Sequence, residues 1–498
     1  MATPAADAGY ELLLANSLET VRRECFAAPG LTHSGVWLIP AVGRFDMGGR
    51  DFTCALDAFG KWHKFELDSD RGAICFTAEF MQTGFFNEST KAGTVGAGML
   101  FSETVPPRPL AVRLRAMTAP NDNAFVNTIS VGGQHVALTD SPDRLAFSLS
   151  SLAVRGKLRF DSSARYPRRA LYLETLGSAH PVPRPGSQTP LGLSIAVRTP
   201  FMDQSEVSVY AWSGPTTREL LARLPVKDRV PYLHSFGVLR RAVLLPLQPL
   251  SVDMRPALFG TPLQGLMREL SVNTTFVVLP LAGGGTSLRT FNAGGRYFFT
   301  HVINTYEEGE GDAATLVFDA CVSHLNPFHS TAIAIAAQRN KTRRDAGGAM
   351  MHARRFVIRI AGPRRGEVVS SLLSRAGREA DFPQIDSRYR GRKHCIYWAV
   401  LWRADGVAYG AMAIDRTDVC RGKVTTWMRP ASFPSEPTFL ASGEEEGQGA
   451  LLVTVLNGTS GRSSFLTLDA TTMQPTLEVP LPVRIPFTTH GQWYPPGG

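Results

Sequence analysis

Short apolar or alternating runs, divided by Gly, Pro, Asn and Asp, recur along most of the chain. They lie at Gly35 to Pro40, Trp62 to Leu67, Gly72 to Phe80, Asn123 to Val131, Gln134 to Leu138, Leu193 to Val197 and Val207 to Trp212. They continue at Val238 to Leu245, Thr275 to Leu281, Ala314 to Asp319, Phe356 to Ile360, His394 to Leu401, Ala450 to Leu456 and Ser464 to Leu468. Runs of this length, rich in β-branched and aromatic residues and bounded by turn formers, predict strands. Tyr297 to Tyr306 reads as a further strand, closed by the acidic turn Glu307-Glu308-Gly309, with one imidazole, His301, in its middle.

Three stretches depart from this pattern. Residues 1–30 carry Leu12, Leu13, Leu14, Leu18, Val21 and Cys25 at roughly helical spacing, which predicts a helical lead-in. Pro246 to Leu270 holds Leu247, Leu250, Met254, Leu258, Phe259, Leu263, Leu266 and Met267 with few charges. Pro106 to Met117 sets Leu110, Val112 and Leu114 among Arg108, Arg113 and Arg115. The last two stretches admit two readings: amphipathic segments on a membrane surface with arginines toward the headgroups, or caps over the core.

Many short strands with regular turns mean a sandwich, a barrel or a propeller. Roughly 450 residues of them exceed one sandwich. We therefore expect an all-β chain: residues 1–30 as the helical lead-in, and residues 31–498 as a single β-propeller domain with cap insertions that include residues 246–270. No blade repeat is legible, so periodicity does not give the number of blades.

The composition, 44% hydrophobic and 19% charged, is that of a globular chain. No run of 18 uncharged apolar residues occurs, so no transmembrane helix is expected. Met1 to Arg23 has no basic region followed by an apolar core, so no secretory signal is expected either. A net charge of +9 favours anionic surfaces such as membrane headgroups. The densest basic region, Arg339 to Arg365, offers few aromatic rings for bases to stack on, so nucleic acid is not an expected partner. The six cysteines are scattered without a CxxC pair and are expected as reduced thiols of a cytosolic chain.

Three more histidines share the strand-like setting of His301: His180 in Gly177-Ser178-Ala179-His180-Pro181, His234 in Tyr232-Leu233-His234-Ser235-Phe236-Gly237, and His490 in Thr488-Thr489-His490-Gly491. The inner strands of a propeller line its central channel, so histidines from different blades converge there without being close in sequence. Four neutral imidazoles suit iron, copper, zinc or nickel, and the lack of thiolate speaks against structural zinc. Ligating imidazoles usually donate their second N–H to a carboxylate. Glu436, in Phe433-Pro434-Ser435-Glu436-Pro437, is the candidate, an acid in an apolar run that needs a partner. His63 is expected to be a structural residue of the first blade. Read from the residues alone, the chain is a His-rich metal centre in an all-β scaffold.

Further segments fall into a recognisable order. Gly43-Arg44-Phe45-Asp46-Met47-Gly48, Asp57 and Trp62-His63-Lys64-Phe65 come first, then Ala179-His180-Pro181 and His234-Ser235-Phe236-Gly237. His301-Val302-Ile303-Asn304-Thr305-Tyr306-Glu307-Glu308, Arg354-Arg355-Phe356, Phe382-Pro383-Gln384-Ile385-Asp386, Pro434-Ser435-Glu436-Pro437 and Thr489-His490-Gly491 follow. The set resembles the carotenoid cleavage oxygenase family, leaning toward the animal-type branch of β-carotene oxygenases and the retinoid isomerohydrolase. The resemblance implies a seven-bladed β-propeller with a helical and loop cap over its top face. It implies Fe(II) on the axis, held by His180, His234, His301 and His490 as the catalytic centre. It implies three carboxylates behind three of those ligands: Glu436 matches one, and Asp381 and Asp140 stand where the family has Glu, each one methylene shorter.

The activity so implied is a dioxygenase that uses O2 to cleave a conjugated C=C bond of a carotenoid or apocarotenoid into aldehydes or ketones. So insoluble a substrate implies a cytoplasmic chain peripherally associated with a membrane. Two rivals keep the scaffold: a retinyl-ester isomerohydrolase, or a stilbene cleaver, which needs Tyr and Lys at a polar tunnel end. A third is a non-enzymatic propeller that serves as a binding platform.

Overall fold

Central strands of a propeller blade are covered on both faces by the neighbouring blades, so they are buried along their length rather than on alternate residues. That is the pattern in the computed structural model, where all nine residues of Thr315–Ser323 and all six of Ile396–Leu401 are buried. The structure describes the chain apart from residues 1–3, 117–120, 161–171, 200–201, 203, 228, 284–286, 330–332, 348–350, 374–377 and 498. Among the described residues, seven antiparallel sheets of four or five strands form the blades of a seven-bladed propeller.

From the axis outward, the second blade runs Asn127–Val131, Gln134–Leu138, Arg144–Phe147 and Val154–Leu158, and the third runs Tyr172–Gly177, Pro190–Arg198, Ser205–Trp212 and Arg218–Val226. The fourth begins with Gly237–Val238, the fifth with Phe298–Glu308, the sixth with Ala380–Gln384 and the seventh with Ser432–Pro434. The first blade combines both ends of the chain. Its order from the rim is Val21–Ala27, Ala73–Phe80, Phe59–Asp68, Gly35–Arg44 and Gln492–Tyr494. The C-terminal strand is thus the innermost one, and it brings His490 to the axis.

Apolar clusters fill the wedges between blades. Trp37, Phe65 and Phe76 of the first blade meet Leu452 and Phe465 of the seventh. Phe276, Phe299, Phe318 and Phe356 join the fourth to the fifth. Short helical segments precede or interrupt the blades in sequence, among them Tyr10–Leu14, Gly84–Ala92, Leu110–Arg115, Arg255–Phe259 and Ile335–Arg339, and residues of several of them line the cavity described below. Gly260 (φ 73°) abuts Arg113 so closely that a side chain there would collide with it, which lets the Leu110–Arg115 and Arg255–Phe259 segments meet.

Three sequence expectations need correction. The lead-in is helical only as the 3-10 turn Tyr10–Leu14, because Val21–Ala27 joins the first blade as its rim strand. Four of the six cysteines are not free thiols: Cys25 pairs with Cys75 and Cys395 with Cys420, leaving Cys54 and Cys321 buried and free. Sequence separations of 50 and 25 hid the pairs, whereas the strand register sets Cys25 directly opposite Cys75. Residues 246–270 are not wholly irregular either, since Leu250–Val252 and Met267–Glu269 pair as a small ladder. Leu247, Leu250 and Leu266 there are core residues, while Leu258 and Phe259 are exposed. Met117, the end of the other expected amphipathic stretch, lies outside the described residues.

Candidate metal centre

Each of the four histidines stands on or beside an innermost strand. His180 follows Tyr172–Gly177, His234 precedes Gly237–Val238, His301 lies within Phe298–Glu308 and His490 precedes Gln492–Tyr494. The pairing of Phe298–Glu308 with its neighbour slips between Phe299 and Val302. Such a bulge re-aims side chains, and here it falls on His301. One ligand atom from each of the four rings lies within 4.8 Å of all the others. His180 and His234 approach Nε2 to Nε2 at 3.0 Å, and His234 and His301 at 3.2 Å.

Three rings are held from behind. His234 Nδ1 lies 2.6 Å from Asp140 Oδ2, His301 Nδ1 2.7 Å from Asp381 Oδ1, and His490 Nδ1 2.8 Å from Glu436 Oε2. The two aspartates, one methylene shorter than glutamate, therefore reach their rings directly. Asp140 serves His234 rather than its nearer sequence neighbour His180. Burial pushes the Asp140 and Asp381 carboxyls up, but the facing histidines and several hydrogen bonds outweigh it, and the net direction is down for both. Two carboxylates held ionised in this way accept Nδ1–H and leave the Nε2 lone pairs free.

The carboxylates have supports of their own. Tyr232 Oη donates to Asp140 at 2.7 Å and the Ala179 N–H at 3.0 Å. Thr300 Oγ1 donates to Asp381, and Gln384 Nε2 donates to Glu436 at 2.7 Å. Phe382, next to Asp381, has φ 53°, a conformation rarely taken by a bulky residue. Its ring packs 4.9 Å from that of His301 and 5.4 Å from that of His490. Tyr232, Thr300, Gln384 and Phe382 were missed as site residues. Each nonetheless lies within a flagged motif or one residue from its histidine or acid.

The donor set fits a divalent metal. With Nδ1 protonated on both His234 and His301, their Nε2 lone pairs face each other at 3.2 Å with no proton between them. A cation removes that repulsion. Metal–nitrogen bonds of about 2.0–2.1 Å at right angles put neighbouring ligands about 3 Å apart, as found here. His63 has the structural setting expected of it, fully buried and stacked on Phe76.

His234, His301 and His490 line a cavity of about 870 Å³. Its lining includes Met99, Phe101 and Leu263, the aromatic Phe382, Trp402 and Phe487, and Tyr10, Gln338 and Tyr409.

The family profile of the retinal pigment epithelial membrane protein matches residues 33–495. A carotenoid cleavage dioxygenase 8 homolog A of Oryza sativa subsp. japonica, chloroplastic, is 25% identical over 344 residues, a match that covers 65% of this chain and 60% of that protein. A carotenoid isomerooxygenase of Galleria mellonella is 22% identical over 484 residues, covering 91% of this chain and 89% of the relative. The solved structure of a cobalt-substituted Synechocystis apocarotenoid oxygenase superposes with a TM-score of 0.79 at 19% identity, covering 98% of this chain and 99% of that one.

Proposed function

The chain belongs to the retinal pigment epithelial membrane protein family, and from that premise we propose that it is a dioxygenase that cleaves a conjugated C=C bond of a carotenoid or apocarotenoid, with Fe(II) as its metal. The observation that carries this reading is four imidazole nitrogens converging at the wall of a largely apolar cavity, three of them backed by carboxylates. Four neutral nitrogen ligands leave open positions on a six-coordinate metal, an arrangement that suits non-haem iron. The relatives named above act on carotenoids or apocarotenoids by their own names, and one neighbour accepts cobalt.

When bound, the iron supplies the means to activate O2 beside the polyene. His180, His234, His301 and His490 would hold it through Nε2. Asp140, Asp381 and Glu436 keep a proton on Nδ1 of their three rings and fix the ring planes. Phe382, Trp402 and Phe487 keep water away and hold the polyene in one register against the histidines, which turns an encounter into a positioned reaction. The cavity-lining residues, all drawn from the described part of the chain, include no lysine, the group a stilbene cleaver would need.

We further propose a peripheral membrane contact at the cap. Leu110 and Leu114 are exposed beside Leu258 and Phe259, the last 74% exposed, and Arg113, Arg115 and Arg255 flank them. Met254 and Leu263, on either side of this patch in sequence, line the cavity, so a lipid-dissolved substrate has a short path inward. Among the described residues no helix is long and apolar enough to cross a membrane.

The test is to incubate the Fe(II)-loaded protein in air with carotenoids, apocarotenoids and stilbenes and identify products by mass. Paired carbonyl fragments from a polyene are expected. Intact polyenes throughout, or cleavage of stilbenes alone, would overturn the reading.

A further inference from the structure

The cavity lining drawn from the second and third blades and the chain beside them is charged as well as apolar: Leu173, Leu176 and Phe160 lie there with Arg144, Glu174 and Arg218, and Leu173 is exposed. Elsewhere the lining is aromatic, with Phe382, Trp402 and Phe487. A site for a hydrocarbon alone would not need the charged groups.

Arg144 is a deeply buried charged group of this lining. It opens the strand Arg144–Phe147 and is only 4% exposed. Its guanidinium carbon sits 3.3 Å from the Phe160 ring centre and 5.4 Å from that of Trp212. Nη1 donates to the Pro215 carbonyl at 2.9 Å, while Nε is buried with no partner. Of the nearby acids, Glu174 accepts from Arg218 at 2.6 Å and from Ser194 at 3.0 Å, while Asp143 faces Lys157 at 3.5 Å through an Oδ2 that makes no hydrogen bond. Among the described residues, no carboxylate forms an ion pair with Arg144. Burial pushes its guanidinium down to about 10, with Arg218 adding to the shift and the charges of Glu174 and Asp143 opposing it. A buried guanidinium without a directly bonded carboxylate is costly, and its planar fork of donors is matched by one.

We propose that this charged part of the lining is a subsite for the carboxylate terminus of an acidic polyene, with Arg144 as the specificity-determining residue. The proposal rests on the reading of the cavity as a polyene site. An acid seated on Arg144 fixes one end of the chain, and the aromatic part of the lining takes the apolar end. That pairing sets which double bond faces the histidines.

Binding tests this without catalysis. Tryptophan-fluorescence quenching under argon compares all-trans-retinoic acid with all-trans-retinol, two polyenes that differ at the terminus. The protein is expected to bind the acid about tenfold or more tightly than the alcohol, the usual worth of a hydrogen bond to a charged group. Arg144→Met should abolish that preference and leave the alcohol's Kd unchanged, whereas Arg144→Lys keeps part of it. Equal affinity for acid and alcohol in the parent protein overturns the subsite and leaves the polyene reading standing. Binding of neither ligand overturns both. Should Arg144→Met lose affinity for the alcohol as well, its melting point separates misfolding from a general wall effect, and the parent's own discrimination decides the matter.

Discussion

At the scale of single residues, the site is a matter of which nitrogen carries a proton. Replacing His180, His234, His301 or His490 by Ala is expected to abolish metal retention, read by elemental analysis of the purified variant, with little change in melting point. Full metal occupancy and turnover in any one variant would remove that residue from the ligand set. Glu436→Gln should lower metal affinity or activity roughly 10–100-fold, the usual effect of losing a ligand's carboxylate partner. Asp140→Asn should cost at least as much, since Asp140 also accepts from Tyr232 and from the Ala179 N–H. Asp57 offers a pH test away from the metal ligands. It accepts the Phe101 and Ser102 N–H groups, and burial pushes its carboxyl from the ordinary 3.8 up to about 7. Between these two values the folded chain binds more protons at this group than the unfolded one, so its contribution to stability falls as pH rises. Asp57→Asn removes that slope. Denaturant titrations at pH 4 and pH 7 should therefore find the variant's deficit smaller at pH 7, and an equal or larger deficit there would refute the assignment.

At the scale of elements, the middle strands were legible because burial on both faces writes them as apolar runs, whereas the short inner strands Ala380–Gln384, Ser432–Pro434 and Gln492–Tyr494 were not. Gln134–Leu138 was expected with its observed bounds, and Thr315–Ser323 and Gly449–Asn457 were found longer than their runs. The rim strands were not. Val154–Leu158, Val368–Leu372 and Pro475–Pro480 face solvent with most of their residues, so no sustained apolar run marks them. Likewise the four iron-ligand candidates and Glu436 were readable from local motifs, whereas the disulfides depend on register between separate strands. Each disulfide closes a loop long enough to contribute about 2–4 kcal/mol. Thiol titration of the denatured, unreduced protein should find two free thiols, Cys54 and Cys321, and the Cys395→Ser/Cys420→Ser pair should melt several degrees lower. Six titratable thiols would contradict both pairings.

The cap poses its own test at this scale. Burying an apolar side chain contributes roughly 1.5–3 kcal/mol, so a few exposed together hold a chain reversibly on lipid. Leu258→Ser with Phe259→Ser should abolish flotation with anionic liposomes at an unchanged melting point. Flotation as strong as before, or a melting point lowered by many degrees, would place these residues in a structural role instead.

For the whole molecule, the ring is what makes the centre possible. The C-terminal Gln492–Tyr494 strand closes the first blade, and Tyr494 Oη donates to Thr128 Oγ1 of the second blade at 2.8 Å. His490, 310 residues after His180 by their numbers, is thereby set with its ring centre 4.4 Å from that of His180. Seven blades hold four rings in place with no spaced metal motif in the sequence, which is why the set was read from the strand-like setting of each histidine and from the family resemblance rather than from any spacing. The most direct measurement loads the apoprotein with Fe(II) or Zn(II), adds an apocarotenoid in air or under argon, and follows loss of polyene absorbance with product masses. The account predicts carbonyl fragments only with iron and air together, and none from the His301→Ala protein. Equal cleavage without iron, or from His301→Ala, would contradict it.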